Sequence, residues 1–278
     1  MWGQPPRLSG RAKLDSRLRC NSKSQPSIRY LILTIEEIAS ATLVLMQRIN
    51  TPEILDSADC PPREIEASLR DLSRINRWFG GVATTRKLIE RVAAATGRKH
   101  FSVLEVAAGH GEVPKVAAQQ LARKGITLDV THLDRASSHL LRGNRAVVAD
   151  ALALPFPDSS FDLVSCSLFA HHLEPEELAR FAREASRVSR LAVLINDLVR
   201  HPLHLALVYA GFPLMRSYVS RVDGVASVRR AYVPEEMREI FSDRGSVPGT
   251  IELSLHYLFR MGVIVWKPAG TSTVPAVP

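Results

Sequence analysis

The stretch "VLEVAAGHGE", residues 103–112, joins an apolar run to a turn of small residues. The apolar run is typical of a buried strand, and Glu105 lies near its carboxyl end. The small side chains of Ala107, Ala108, Gly109 and Gly111 let the backbone pass close to a ligand, and Pro114 fits the first turn of a following helix. The stretch predicts a strand, a turn and a helix; the turn is either a ligand-binding site or a plain corner of the fold.

Downstream of this stretch, short β-branched runs alternate with helical patterns. The predicted strands are 101–106, 128–133, 145–148, 161–166 and 191–195, and the predicted helices are 113–124, 136–141 and 175–188. Residues 250–268 are typical of an antiparallel pair of strands at a sheet edge. This order predicts an α/β, Rossmann-like doubly wound fold with a mostly parallel sheet.

Helical patterns precede and follow this alternation. Residues 63–79 carry an apolar stripe of three- and four-residue steps, and 84–95 form a second predicted helix. Apolar, basic residues 197–220 are also predicted to be helical, as are residues 233–241. Residues 1–27 are typical of disorder, and 28–49 are predicted to be helical. We expect either that Met46 is the natural start or that residues 1–45 are a dispensable extension.

Composition restricts the classes of function. The net charge is +8, of which residues 1–48 carry +5, so a basic solvated tail accounts for most of it. Three scattered cysteines predict neither disulfides nor a metal site, and they favour a reducing, cytoplasmic setting. No apolar stretch reaches the length of about 20 residues that a membrane span needs.

Two cofactors compete for the turn at 107–111. A dinucleotide requires G-x-G-x-x-G/A, but the third position, counted from Gly109, is Pro114, which argues against NAD. The alternative register, E-x-A-x-G-x-G from Glu105 to Gly111, resembles the first motif of class I S-adenosylmethionine-dependent methyltransferases. Ala107 replaces the first glycine of that motif.

Three further segments strengthen the resemblance. "LDVTHLDRA" ends a predicted strand at Asp134, where a carboxylate can accept hydrogen bonds from ribose hydroxyls. "VVADALALPFPDSSFDLVSCSLFAHHL", residues 147–173, is similar to the family over the segments that flank its fourth strand. "LAVLINDLVRHP", residues 191–202, is similar to the fifth strand and the entry to a substrate lid.

The resemblance covers residues 50–268 and is closest to small-molecule enzymes of the ubiquinone/menaquinone methyltransferase type. It implies a seven-stranded sheet with an antiparallel last strand, and S-adenosyl-L-methionine as cofactor. The residues that it implies for cofactor binding are Glu105, Ala107, Ala108, Gly109, Gly111, Asp134, Arg135, Asp150, Ala151, Ser167, Leu168 and His172.

Candidate bases are the histidines near the predicted strand ends. His171, His172 and His201 are the candidate catalytic residues, because imidazole can accept a proton near neutral pH. Local hydrogen bonding or capping is the structural alternative for each. The side chains predicted to orient the substrate are those of Arg200, His204, Tyr209, Arg216 and Tyr218, and those predicted to close over the cofactor belong to Asn76, Arg77 and Trp78.

Taken together, these features predict an enzyme built from an N-terminal extension (1–49), a helical cap (50–97), a methyltransferase domain (98–268) and a tail (269–278). The domain carries a predicted lid insertion at 197–230. The expected reaction is methylation of a small hydroxylated aromatic or polyketide-like molecule, on oxygen in preference to carbon. A dehydrogenase, a non-catalytic cofactor-binding protein and an RNA methyltransferase are the alternatives. Nucleic acid is not an expected partner, and no membrane span is expected.

Overall fold

The computed structural model describes residues 46–57, 60–140, 145–242 and 249–268; the predictions made for 1–45 and 269–278 lie outside these ranges. The strands are β1 His100–Val106, β2 Thr127–Asp134, β3 Ala146–Val148, β4 Phe161–Ser167, β5 Ser189–Leu198, β6 Ile251–His256 and β7 Arg260–Trp266. The α-helices are α1 Pro62–Trp78, α2 Gly81–Thr96, α3 Glu112–Ala122, α4 Pro175–Val188, α5 Pro202–Ala210, α6 Tyr218–Arg230 and α7 Pro234–Ser242.

The seven strands form one sheet in the order β3-β2-β1-β4-β5-β7-β6. Strands β1 to β5 pair in parallel, whereas β7 pairs antiparallel with both β5 and β6. The predicted α/β fold with an antiparallel last strand is confirmed. The carboxyl ends of the central strands β1, β2 and β4 meet at one edge, where open α/β sheets bind ligands.

Each face of the sheet has its own apolar core. On one face, Leu104 and Val106 of β1 pack with residues of α4 and α7, among them Phe181 and Met237. On the other face, Phe101 packs with residues of α2 and α3, such as Ile89. Since neighbouring β1 residues point to opposite faces, this continuous apolar strand is typical of a parallel sheet covered by helices on both sides.

Four local predictions differ from the structure. Residues 136–141 were expected to be helical, but the described part holds only a 3₁₀ turn, Ser137–His139, which follows a turn closed by a hydrogen bond from the Ala136 N–H to Asp134. Residues 197–198 belong to β5 because the strand pairs with β7 as far as Leu198 and Arg260. Residues 46–49 carry no helix, and α6 extends ten residues beyond the predicted helical stretch, which ended at residue 220.

No helix in the described ranges is both long and apolar enough to cross a bilayer. Cys60 and Cys166 are buried free thiols, and Cys20 lies outside the described residues.

Candidate functional site

A large cavity opens above the carboxyl ends of β1, β2 and β4. Its volume is about 1320 Å³, and its walls come from the strand ends, from α1, and from the segment containing α5 and α6. A site for one drug-sized molecule has a volume of roughly 300–1,000 Å³. The cavity therefore has room for a cofactor and an acceptor together.

The turn after β1 forms the floor of this cavity. Its backbone enters the left-handed region at three positions, with φ of 53° at Ala107, 51° at Gly109 and 68° at Gly111. A Cβ atom at Gly111 would lie 2.4 Å from Nε2 of the buried His132, so only glycine fits there. Ala107 is strained in this conformation because its Cβ atom approaches the following carbonyl oxygen. Glycine, which has no Cβ atom, adopts the same conformation without strain.

Asp134 ends β2 beside this turn and lines the cavity. Its Oδ2 accepts a hydrogen bond from the Gly109 N–H and its Oδ1 accepts one from the Ala136 N–H, both at 3.0 Å. Burial raises the pKa of Asp134, but the contact with His139 and the two backbone hydrogen bonds outweigh it, so the pKa lies below its usual range. The group is therefore an anion with lone pairs left for a ligand's hydroxyl groups.

The other residues implied for the cofactor also surround the cavity. Asp150 accepts a hydrogen bond from the Leu152 N–H at 2.9 Å, and Leu168 has a φ of 58° where β4 ends. The implied residues that line the cavity are Glu105, Ala107, Ala108, Gly109, Gly111, Asp134, Arg135, Asp150, Ala151, Ser167, Leu168 and His172. Their roles toward a cofactor stay predictions.

Glu105 is a buried carboxyl group in the wall of the cavity. Burial raises its pKa to about 7, while hydrogen bonds from Ser165 and Ser167 act in the opposite direction. The Oε2 atom has no hydrogen-bond partner. A buried carboxylate oxygen without a partner is costly, so a cationic ligand group in the cavity would stabilise its charged form.

The wall opposite the strand ends is mostly apolar. The apolar stripe predicted on the first helix lines the cavity through Leu69, Leu72 and Ile75 of α1 and through Phe79, which directly follows α1. The other apolar residues of this wall are Leu55, Leu207, Val208, Leu214 and Met215. The cavity thus has a carboxylate-bearing half at the strand ends and an apolar half beneath α5 and α6.

His171 and His172 lie in a 3₁₀ turn, Ala170–His172, that follows β4. His171 Nδ1 is 2.6 Å from Asp197 Oδ1, and its Nε2 is 3.4 Å from Glu53 Oε1. Burial lowers the pKa of His171, but Asp197 and Glu53 raise it to about 9. His172 Nε2 lies 3.6 Å from the second oxygen of Glu53, so both histidines meet one carboxylate at the cavity wall.

His201 is the candidate catalytic residue that the structure places elsewhere. It does not line the cavity, and its Nδ1 accepts a hydrogen bond from the Leu203 N–H at 3.1 Å, which caps α5. Its ring also stacks on Phe259. The structural alternative, local capping, therefore describes His201, because the side chain faces its own helix and not the strand ends.

Of the residues predicted to orient the substrate, one lines the cavity and the others do not. His204 lines the cavity, and burial lowers its pKa to about 4, so it is neutral near pH 7. Arg200 is buried and pairs with Glu236 at 2.6 Å, which neutralises a nearby acidic residue. The residues of this group that do not line the cavity are Arg200, Tyr209, Arg216 and Tyr218.

The three residues predicted to close over the cofactor lie at the end of α1. Asn76 lines the cavity and its Oδ1 accepts a hydrogen bond from the buried Arg260 at 2.9 Å. Arg77 pairs with Glu112, next to the turn after β1. Trp78 does not line the cavity and is 57% exposed. The helix end thus reaches the site through Asn76, whereas Trp78 is directed to solvent.

Comparison with known sequences identifies the domain around this site. Residues 104–192 match the family described as "Methyltransferase domain", a range from β1 into β5 that includes the turn, Asp134 and both adjacent histidines. Residues 104–192 are therefore identified as a methyltransferase domain. Domains of this class use S-adenosylmethionine as the methyl donor, and the resemblance seen in the sequence is confirmed.

Curated relatives are similar in sequence to this region, and solved structures share its fold. The ubiquinone/menaquinone biosynthesis C-methyltransferase UbiE of Paraburkholderia xenovorans is 30% identical over 136 residues, which are 45% of this chain and 54% of that protein. The chain therefore spans about half the length of the curated relatives that it matches. The plantazolicin methyltransferase BpumL, solved with a triazolic desmethylPZN analogue and S-adenosylhomocysteine, is 12% identical and gives a TM-score of 0.58 over 84% of this chain and 99% of its own.

A second solved structure shows the same fold. The putative O-methyltransferase from Nostoc punctiforme is 13% identical and gives a TM-score of 0.51, over 82% of this chain and 67% of its own.

The residues of the methyltransferase domain fit the chemistry of its donor. The ribose of S-adenosylmethionine presents two hydroxyls, which can donate hydrogen bonds to an ionised Asp134. The sulfonium and amino groups of the cofactor are cations, which suit the Glu105 oxygen that has no hydrogen-bond partner. Two side chains that contact the candidate residue His171 were not identified from the sequence: Glu53 and Asp197. Glu53 lies in the irregular segment before α1, and no local pattern links it to His171, which is 118 positions away.

Proposed function

We propose that the protein transfers the methyl group of S-adenosylmethionine to a small, apolar, hydroxylated acceptor, and that it methylates oxygen in preference to carbon. The observation that carries this proposal is the two-part cavity, with carboxylates at the strand ends and an apolar wall from α1, α5 and α6. The acceptor class is an aromatic or polyketide-like molecule, because flat apolar rings suit such a wall. The cysteine usage favours a cytoplasmic, reducing setting for this work.

The donor half of the cavity would be defined by Glu105, Asp134 and Asp150. When bound there, the cofactor supplies an activated methyl group with a good leaving group, so the protein's own task is mainly positioning. Asp134 would accept the ribose hydroxyls, and Asp150 lies after β3, where it can meet the adenine. The turn leaves room for the methionine portion because the side chains of Ala107, Ala108, Gly109 and Gly111 are no larger than a methyl group.

The acceptor half lies between the apolar wall and the cluster of Glu53, His171 and His172. We propose that this cluster holds the acceptor's hydroxyl group in line with the methyl group, since it gathers basic nitrogens and a carboxylate in a largely apolar surface. Burial excludes water, which would otherwise compete for these polar atoms. The proposed role of the histidines concerns orientation of the oxygen, and neither is assigned as the sole base.

Carbon methylation is the second candidate, because the curated relatives are named as C-methyltransferases. The two reactions can be separated with donor carrying an isotope-labelled methyl group and a panel of apolar phenols and enols. Each acceptor is paired with its own methyl ether as a control for the hydroxyl. Label recovered as a methoxy group supports transfer to oxygen, and label on a ring or chain carbon supports transfer to carbon. The methyl ether should be inert if the enzyme methylates oxygen, but not if it methylates carbon.

Separate binding measurements, together with this transfer experiment, test the remaining alternatives. Tight cofactor binding with no transfer to any acceptor would indicate a non-catalytic binding protein. Binding of NAD in place of the sulfonium cofactor would indicate a dehydrogenase. Salt-dependent RNA binding that survives deletion of residues 1–45 would indicate an RNA methyltransferase.

A further inference from the structure

We propose that Glu53, His171 and His172 bind one divalent transition-metal ion of the zinc class at the acceptor side of the cavity. Within the described residues, these three side chains are the group of His, Cys, Asp or Glu donors close enough to share an ion, with their donor atoms within 4.8 Å of one another. Ion binding itself goes beyond the proposed function, and its test does not require methyl transfer.

The separations of the donor atoms suit such an ion. Glu53 Oε1 is 3.4 Å from His171 Nε2, and Glu53 Oε2 is 3.6 Å from His172 Nε2. Zinc lies about 2.0–2.2 Å from imidazole nitrogen and carboxylate oxygen, so two ligands of a tetrahedral zinc ion are roughly 3.3 Å apart. Only small side-chain shifts are therefore needed to place an ion between the three groups.

Asp197 gives His171 the orientation that a metal ligand needs. Asp197 Oδ1 lies 2.6 Å from Nδ1 of His171, and Asp197 Oδ2 accepts a hydrogen bond from the backbone N–H of His171 at 3.0 Å. A carboxylate on Nδ1 fixes the proton there and leaves the Nε2 lone pair for an ion, as in many zinc sites. The Nε2 atom of His171 is buried and makes no hydrogen bond of good geometry.

The backbone around the cluster holds its members in place. The N–H groups of Ile54 and Leu55, directly after Glu53, donate to the two oxygens of Asp223 at 2.8 and 2.9 Å. The Ser227 hydroxyl donates to Glu53 Oε1 at 2.8 Å, which orients the carboxylate. A ligand set fixed in this way loses little conformational freedom when it binds an ion.

A protonated His171 between two carboxylates is the competing state. Asp197 and Glu53 stabilise an imidazolium, and Arg230 is a nearby cation whose terminal nitrogens donate to the carbonyl oxygens of Thr51 and His172. An ion would displace the proton on Nε2 while leaving that on Nδ1. With three protein ligands it would keep an open position toward the cavity, where, if the proposed function holds, the acceptor's oxygen would bind.

The test is metal binding by the full chain without an affinity tag, after treatment with a chelator. Titration with Zn²⁺ in a calorimeter, and with Co²⁺ followed by ligand-field absorption, should show one equivalent bound. Glu53→Gln and His172→Asn should each weaken binding at least about 100-fold, and Asp197→Asn should weaken it about 10- to 100-fold, as expected for a group that orients a ligand.

His201→Asn is the matched control, because asparagine can replace His201 as the cap of α5 and should leave ion affinity unchanged. If a ligand variant does not fold, X-ray absorption of the zinc-loaded wild type decides the question, with two imidazole ligands expected. Absence of a bound equivalent, affinity that is the same in His172→Asn and His201→Asn, or fewer than two imidazoles would overturn the site and leave the proposed methyl transfer untouched.

Discussion

The carboxylate of Asp134 accepts a hydrogen bond of 3.0 Å from the backbone N–H of Gly109, which joins the end of β2 to the turn after β1. The same carboxylate accepts the Ala136 N–H through its other oxygen. The carboxylate proposed to hold the ribose therefore also fixes the turn that is proposed to lie beneath the methionine portion of the cofactor. Loss of this side chain should disturb both parts of the donor site together.

The backbone of Ala107 provides a test of the turn's conformation. Its φ of 53° is costly for a residue with a Cβ atom, by about 1–2 kcal/mol, whereas glycine adopts it freely. Ala107→Gly should therefore raise the free energy of unfolding by about 0.5–1 kcal/mol, after the entropy that glycine adds to the unfolded chain is subtracted. Urea unfolding of both proteins measures the difference.

Ala108→Gly is the control for this substitution, since Ala108 does not have a positive φ. It should lower the free energy of unfolding by about 0.5–1 kcal/mol, the usual cost of glycine. Equal destabilisation by the two substitutions would show that Ala107 is not strained.

Glu105 should make stability depend on pH. Burial raises its pKa to about 7 from an ordinary value of 4.5, so the folded protein keeps a proton that the unfolded chain releases. The resulting stabilisation is complete below pH 4.5 and is lost as pH rises through 7. Relative to Glu105→Gln, the wild type should lose about 3 kcal/mol across this window.

Chemical unfolding at several pH values measures this loss. Glu235→Gln is the control, because Glu235 is exposed and its neutralisation should leave the pH profile of the wild type intact. A Glu105→Gln profile parallel to that of the wild type would contradict the raised pKa.

Asp71 should control access to the acceptor half of the cavity. Its buried Oδ2 accepts the N–H groups of Arg216 and Ser217 at 2.7 and 2.9 Å, which ties α1 to the start of α6. Asp71→Ala leaves those two donors without their partner. We expect faster hydrogen exchange at both amides and a KM for the acceptor about tenfold higher, equivalent to about 1.4 kcal/mol.

Cofactor affinity should change less than about twofold in Asp71→Ala, since the carboxylates at the strand ends are untouched. Glu66→Ala on the exposed face of α1 is the control and should alter neither quantity. Protection of the Arg216 and Ser217 amides equal to that of the wild type would show that Asp71 does not hold this segment.

The donor half of the site could be predicted from the sequence because its features are local. A strand, a turn of small residues and an acidic residue at the next strand end each follow from short patterns, and parallel pairing brings them to one edge. Glu53 could not be predicted, since its contact with His171 depends on how the segment before α1 packs against α6.

The boundaries that were wrong also depend on distant contacts. Residues 197–198 extend β5 because β7, more than sixty positions later, supplies their hydrogen bonds. His201 has the residue type of a base and lies near the strand ends in sequence, yet it caps α5. Residue type and position along the chain therefore selected His171 and His172, which line the cavity, together with His201, which does not.

The most direct test of the account is calorimetric titration of the full chain with S-adenosylhomocysteine, for the wild type, Asp134→Ala and Asp129→Ala. Asp129 lies on the same strand with an exposed side chain paired to Arg145, so its substitution should not affect binding. The account predicts one equivalent bound by the wild type and by Asp129→Ala, with affinity weakened by about 1–3 kcal/mol in Asp134→Ala. No binding by the wild type, or equal affinity in all three proteins, would contradict it.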